Sequence, residues 1–340
     1  MRAAWYDRQG PARDVLQVGD LPTPEPGEGE VRVRLTYSGI NPGDVKKRQG
    51  WLGSSMPYPR VVPHSDGAGV VDAVGPGADP ARLGRRVWVH GAQSYRPWGT
   101  AAELTVVPAR LAVDLPDGVS DEVGAALGIP GLTAHRAVFA DGPVDGAVVV
   151  VHGVLGAVGS IAAQLAARGG ATVIGTVRRE RDLERVDPGP VHHVVALDGP
   201  DPGTAIRDVA PRGVDRIVEV ALSANADLDA AIVADAAVVA AYASDSERPE
   251  IPFWPMLFAN VTIRLLGSDD FPAEAKHQAV RDLTEAAADG DLRVRVAPPY
   301  PLVAIADAHE AVDRGARDGR VLLSLGDGTV DGVRSPSREL

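Results

Sequence analysis

Apolar and polar residues change their rhythm once along this chain. Over the first third they alternate with period two. "EVRVRLTYSGI", residues 30–40, sets valine and leucine against arginine and threonine, as a half-buried strand does. Short apolar runs in "GAGVVDAVGPGA", "GRRVWVHGA" and "AAELTVVPARLAVDLPDG" are cut by glycine and proline. Residues 1 to about 122 therefore read as a compact, loop-rich β barrel or sandwich that begins with a strand. Near Ser120 the rhythm changes. "SDEVGAALGIPGLTAHRAVF" reads as a helix capped by Ser120, broken at "GIPG" and then resumed. Beyond it, strands and helices alternate. "GAVVVVHG" is a strand, "AVGSIAAQLAARGG" a helix closed by glycines, "ATVIGTV" a strand and "RERDLERV" a helix. "HHVVAL", "VDRIVEVA", "AAVVAAYA" and "VTIRLLGS" are further strands. That alternation predicts a parallel, doubly wound sheet. The polar stretch after Leu325, "GDGTVDGVRSPSREL", reads as a disordered tail.

Composition narrows the class. A chain of 340 residues suggests about two domains. Hydrophobic residues make up 45% but aromatics only 4%, so valine, alanine, leucine and isoleucine must fill the core. A net charge of −12 argues against nucleic acid or an anionic membrane as partner, since both demand basic faces. No stretch approaches the roughly 20 apolar residues of a membrane span, and the start, "MRAAWYDRQGPARD", has no apolar signal region. There are no cysteines. That excludes disulfides, thiol nucleophiles and every Cys-containing zinc site, and it fits a cytoplasmic setting.

One turn carries recognisable chemistry. "VVVVHGVLGAVGS", Val148–Ser160, runs a strand into a glycine turn that opens a helix. A pyrophosphate needs backbone amides pointed at it and no side chain in the way, and a helix N-terminus supplies both. Gly153, Val154, Leu155, Gly156, Ala157, Val158 and Gly159 are the candidate cofactor-binding residues. Gly156 would allow close approach of phosphates, and Gly159 would let the helix pack on its strand. The spacing is G-x-x-G-x-x-G, because Val154 stands where G-x-G-x-x-G has its first glycine. At the end of the next strand an NAD site usually places an acid. Here Thr176 takes that position and Arg178 and Arg179 follow it. Guanidinium groups there suit the 2′-phosphate of NADPH. The alternative is that they form a solvated face of the next helix.

With these residues in hand, the chain resembles the medium-chain dehydrogenase/reductases, and within them the zinc-free quinone oxidoreductases of the ζ-crystallin type. The stretches that carry the resemblance span nearly all of residues 1–325. They are "SGINPGDVKKRQG", "PHSDGAGVVDAVG", "GIPGLTAHRAV", "VVVVHGVLGAVGSIAAQLAARGGATVIGT", "GVDRIVEVALSANADLDAA" and "AHEAVDRGARDGRVLLSL". The resemblance implies an α/β fold: a GroES-like β-rich catalytic domain, residues 1–122 and 266–325, interrupted by a Rossmann doubly wound parallel sheet, residues 123–265, with a tail at 326–340. It implies a cleft between the domains and a homodimer paired through "VTIRLLGS". It also implies a small-molecule acceptor, a quinone or an α,β-unsaturated carbonyl whose β-carbon takes hydride from NADPH.

The resemblance distributes roles as well. Asn41 stands where zinc-dependent relatives carry a cysteine ligand, so no metal is expected. His64 and Asp66, in place of the zinc relatives' G-H-E motif, are expected to hold their loop by hydrogen bonds. Asn41 would offer its amide to the acceptor oxygen, Asp44 would lie near the nicotinamide, and Thr133 would contact the carboxamide or the cleft. Trp51 and Tyr58 would line the acceptor pocket or pack. Arg320 would reach the cofactor or cap a surface strand. Leu197 stands where relatives often carry a tyrosine, and Val154 where alanine is common, which would widen the turn. Plain structural readings stay open beside these: Asn41 before Pro42 is a good turn residue, and Asp44 a possible helix N-cap. Two other functions of the same fold stay open too, a biosynthetic enoyl reductase and an NADPH-binding protein with little turnover.

Overall fold

The computed structural model describes residues 1–315 and 319–326. The tail expected to be disordered falls, beyond Gly326, outside the described residues. In chain order, strand β1 (Arg2–Trp5) pairs antiparallel with β2 (Gln17–Asp20) across helix α1 (Ala12–Val15). Next come β3 (Glu30–Gly39), α2 (Pro42–Gln49), β4 (Asp66–Val74), β5 (Arg86–Val89), β6 (Leu104–Pro108), β7 (Ala112–Asp114) and the long α3 (Asp121–Phe139). A second run follows: β8 (Val148–Val151), α4 (Ala157–Arg168), β9 (Thr172–Val177), β10 (His193–Ala196), α5 (Pro202–Val209), β11 (Val214–Glu219), α6 (Leu222–Ile232), β12 (Val233–Ala241), α7 (Phe253–Phe258) and β13 (Thr262–Leu265). The described residues close with α8 (Ala273–Ala288), β14 (Tyr300–Pro301), α9 (Ile305–Asp313) and β15 (Leu322–Ser324).

The protein is α/β, as its rhythm predicts. Six parallel strands form one sheet in the order β10-β9-β8-β11-β12-β13. The order reverses beside β8, and in such sheets ligands bind at the carboxyl ends of the strands around that reversal. The other large sheet has seven strands, β14-β15-β3-β4-β5-β7 with β6 laid on β3. β15 thus brings residues 322–324 back beside β3. Valine runs unbroken through β8, and Val214, Ile217 and Val218 of β11 are all buried, because both faces of a parallel sheet are covered. Their two faces feed separate cores, one holding Val149, Val151 and Ile161 against α3, α4 and α8, the other holding Val150, Ile174 and Ile217 against α5 and α6. In β3, Val31, Val33 and Leu35 are buried, while Arg32 and Arg34 face Asp72 on β4.

Two local expectations meet different ends. Ser120 caps α3, accepting from the N–H of Val123 at 3.4 Å, and the break at "GIPG" is a kink at Gly128 with ψ −112°. "RERDLERV", by contrast, forms only a 3-10 helix at Glu180–Arg185. Leu183 is its one apolar anchor before Val186, and a helix without an apolar stripe gains little from packing.

Candidate active site

The glycine turn sits on the end of β8. Gly153 takes φ +66°, a left-handed conformation that glycine enters without strain. Its carbonyl accepts the N–H of Gly156 at 2.8 Å, and Val154 N–H reaches the carbonyl of Thr176 at 3.1 Å. Gly156 then caps α4. The N–H groups of Ala157, Val158 and Gly159 open that helix and have no intrahelical acceptor. No acidic residue stands in its first turn. This is an anion cradle. Gly159 cannot be anything larger, since a Cβ there would lie 2.4 Å from the Gly153 carbonyl oxygen. Val154 packs inward. Its side chain is buried under the turn, against Gly175, where a Cβ would meet Val154 Cγ1 at 3.0 Å. Leu155 is half-buried.

Beneath the turn lies a buried ionic cluster that no local pattern foretold. His152, Glu219 and Asp229 are fully buried. His152 Nε2 is 3.0 Å from Asp229 Oδ1 and 3.6 Å from Glu219 Oε2, and its Nδ1 is 2.9 Å from Thr176 Oγ1. Burial alone would lower the imidazole pKa, but the Asp229 and Glu219 carboxylates outweigh it and raise it. Glu219 is also fixed by Asn225 Nδ2 at 3.0 Å. Thr176 therefore faces inward: it is fully buried and its hydroxyl serves His152 and the Gly153 N–H, not a ribose at the surface. The donor atoms of His152, Glu219 and Asp229 converge within 4.8 Å. The His152–Asp229 Oδ1 hydrogen bond lies within that convergence, and Asp229 Oδ2 is buried there without a partner among the described residues. Arg178 and Arg179, next along the chain, are exposed.

A second polar cluster forms where α2 and β4 begin. Asn41 is the N-cap of α2, with Pro42 at its first position, and Asp44 is the N3 residue that closes a capping box. Asp44 Oδ2 accepts the Asn41 N–H at 2.7 Å. So Asp44 answers the cap without being it. Asn41 Nδ2 donates to Asp66 Oδ2 at 2.8 Å. Arg320 donates to the same oxygen at 2.9 Å and also to the Ile40 carbonyl. Asp66 Oδ1 accepts the N–H of Ile129 at 2.9 Å, so it caps the half of α3 that resumes after the Gly128 kink. A Cβ at Gly128 would collide with Asp66 Oδ1 at 2.1 Å. Burial pushes Asp66 above the usual carboxylate range, and Arg320, Asn41 and Ile129 draw it back. Burial also pushes Asp44 up to about 7, against the Asn41 N–H and Lys47, which lower it. Arg320 is thus a buried partner of Asp66, not a surface cap. Thr133, one turn beyond Ile129, points its hydroxyl back to the Ile129 carbonyl at 2.7 Å.

Comparison with known proteins matches this architecture. Residues 27–117 match the family described as "Alcohol dehydrogenase GroES-like domain", and residues 170–323 the one described as "Zinc-binding dehydrogenase". The quinone oxidoreductase of Sus scrofa is 30% identical over 324 residues, covering 92% of this chain and 94% of that protein. The Homo sapiens quinone oxidoreductase is 29% identical over 320 residues, covering 92% and 94%. The chain belongs to the quinone oxidoreductase family. It is an oxidoreductase of the medium-chain dehydrogenase/reductase type. Two solved structures are similar throughout. One, described as an NAD-dependent alcohol dehydrogenase, has a TM-score of 0.86 and 27% identity over 96% of this chain and all of that one. The other, a mycobacterial protein complexed with NADPH, has a TM-score of 0.82 and 26% identity over 95% and 99%.

The name "zinc-binding" raises a question that the residues answer. This quinone oxidoreductase family member has no thiolate to offer, and the remaining donors at the corresponding place are engaged. Asp66 accepts from three groups, and the His64 ring meets Ser38 Oγ at 2.8 Å and His309 Nε2 at 2.9 Å. That set does not fit a zinc ion. Of the aromatic candidates, Tyr58 gives its hydroxyl to the Tyr95 carbonyl at 2.5 Å, and Trp51, half exposed, carries Lys46 Nζ 4.3 Å from its ring centroid. Leu197 is half-buried beside β9, its N–H on the Val177 carbonyl.

Proposed function

We propose that this protein is an NADPH-dependent, zinc-independent reductase that delivers hydride to a quinone or to the β-carbon of an α,β-unsaturated carbonyl. One observation carries the reading: at the site where a metal would polarise a carbonyl, Asn41, Asp44, Asp66 and Arg320 form a closed hydrogen-bonded cluster. Such a cluster offers donors and a proton, which suffices for an acceptor already poor in electrons. Residues 1–122 and 266–325 would supply this cluster and residues 123–265 the cofactor site. A cytoplasmic setting belongs to the same reading.

NADPH, when bound, would supply the hydride. The chain would do the rest. The amides opening α4 would hold the pyrophosphate, and Arg178 and Arg179 the 2′-phosphate. Asn41 spends one amide proton on Asp66 and keeps a second for the acceptor oxygen. Asp44, facing Lys47, Asp66 and Arg320, would hold the proton that completes the reduction. Thr133 would border the nicotinamide end. Because the similar structures include one described as NAD-dependent and one holding NADPH, cofactor choice rests on local residues. Replacing Arg178 and Arg179 together by alanine is expected to raise KM for NADPH about 10- to 100-fold, through loss of roughly 1.5–3 kcal/mol of charged hydrogen bonding, and to leave KM for NADH within twofold. Equal effects on both cofactors in steady-state kinetics would refute the assignment.

The pH profile tests Asp44. With its pKa at about 7, the protonated donor is present below that pH and lost above it. The reduction rate kcat/KM for the acceptor is expected to fall as pH rises through 7, and Asp44→Asn to remove that break. A rate that instead climbs through pH 7 would make Asp44 a base. The homodimer belongs to the same reading. β13 is an edge strand, and Leu265 on it and Phe258 before it are each 74% exposed. An unpaired apolar edge invites a second copy, and a monomer in sedimentation would remove this assignment.

A further inference from the structure

A line of buried hydrogen bonds joins the two ends of the Asn41 cluster. Arg48, on α2, donates its Nε to His309 Nδ1 at 3.3 Å. His309 Nε2 meets His64 Nε2 at 2.9 Å, His64 Nδ1 meets Ser38 Oγ at 2.8 Å, and Ser38 Oγ meets Thr100 Oγ1 at 2.8 Å. Thr100 then donates to the backbone carbonyl of Asp66 at 2.6 Å. All these side chains are buried.

Their chemistry fixes every proton. Arg48 can only donate, so His309 Nδ1 accepts and its neutral ring carries hydrogen on Nε2. That hydrogen points at His64 Nε2, which leaves the His64 hydrogen on Nδ1, aimed at Ser38. Ser38 passes its own hydrogen to Thr100, and Thr100 to Asp66. Burial keeps both rings neutral: it drives His309 down to about 3, with Arg48 adding to the effect, and His64 well below its usual value. A strained backbone accompanies this line. His64 sits at φ +77°, a left-handed conformation that costs a non-glycine residue roughly 1–2 kcal/mol. Glycine would take it freely. Such strain persists where surrounding contacts over-determine it.

We propose that the His64–His309 pair is a positioning element for the reaction, holding α2 and the start of β4 in the register that aims Asp66 at Asn41. This rests on the reading of the Asn41 cluster as the reaction site. One end of the line is Arg48, on the helix whose first turn bears Asn41 and Asp44. The other end is the residue whose carboxylate holds Asn41 and Arg320. Both rings are fully buried, so the pair acts through Arg48 and Asp66.

The decisive variant is His64→Gly, which removes the pair while relieving the left-handed backbone, with folding checked by circular dichroism. Its expected signature is a tenfold or larger fall in kcat, with the Kd for NADPH within twofold of the parent. With His64 in place, His309→Gln, whose amide can accept from Arg48 and donate to His64, is expected to keep most of the parent rate, and His309→Leu to lose it. A folded His64→Gly protein with undiminished kcat overturns the proposal. So does an equal loss of NADPH affinity and kcat in all three variants, which would mark a general structural role. Nitrogen NMR of the parent gives a readout that needs no turnover: His309 protonated on Nε2 and His64 on Nδ1. Other tautomers overturn the line itself. The expected tautomers in a protein that reduces no acceptor would leave the line standing and remove the reading of the site.

Discussion

Gly159→Ala is expected to weaken nucleotide binding about a hundredfold and to cost about 1–3 kcal/mol of stability. The added methyl would sit 2.4 Å from the Gly153 carbonyl oxygen, 3.0 Å from its carbon and 3.1 Å from Val154 Cα. All three are backbone atoms of the turn, so no side chain can swing aside. Relief requires α4 to move off β8 by about 1 Å to restore ordinary contact distances. That displaces the amides of Ala157, Val158 and Gly159 from where the phosphates would lie, and misplacement of that size can cost about 100-fold. The stability loss follows from overpacking a close-packed core. Fluorescence titration with NADPH and urea denaturation measure the two effects. Gly118→Ala, at an exposed turn with nothing within 4 Å of the added Cβ, is the control and should change stability by less than about 0.5 kcal/mol. Unweakened binding in Gly159→Ala would contradict the role of this turn.

Asp66→Asn should be the most destabilising of the isosteric changes in the cluster, by about 3–5 kcal/mol. The carboxylate has donors on both oxygens: Asn41 and Arg320 on one, Ile129 on the other. An asparagine has one oxygen and one NH2, so in either orientation a donor faces a donor. It also leaves the buried Arg320 without its counter-charge. Denaturation curves would measure the loss, and kcat should fall with it because Asn41 loses its anchor. The pair is coupled, so Asp66→Asn combined with Arg320→Leu should cost clearly less than the sum of the single changes. Additive costs, or a single-variant loss under about 1 kcal/mol, would mean that the cluster is not closed as described.

What the sequence disclosed follows from how local each feature is. The glycine turn, the Ser120 cap and the break at Gly128 are written in neighbouring residues, so their spacing sufficed. Helix α8 was less legible because its buried positions are mostly alanine, namely Ala279, Ala286 and Ala287 around Leu283, and alanine barely contrasts with its polar neighbours. The resemblance singled out Asn41, Asp44, His64 and Asp66, yet their partners lie far off in the chain. Arg320 is 254 residues from Asp66, His309 is 245 from His64, and Asp229 is 77 from His152. Periodicity reports which face of an element is buried, not which distant polar group it will meet. Thr176 shows the same gap. Its place at the strand end was readable, but its rotation beneath the turn depends on His152, which reads locally as one more residue of the strand.

The most direct test of the whole account is oxidation of NADPH and NADH by the purified protein, with an ortho-quinone, a para-quinone and a simple enone, in the presence of a metal chelator. Turnover is expected with at least one acceptor, faster with NADPH and unaffected by the chelator. Activity lost to the chelator and restored by zinc would contradict the metal-free cluster. Tight NADPH binding with no turnover of any of the three would contradict the general reductase and turn the search to a dedicated biosynthetic substrate or a nucleotide-binding role.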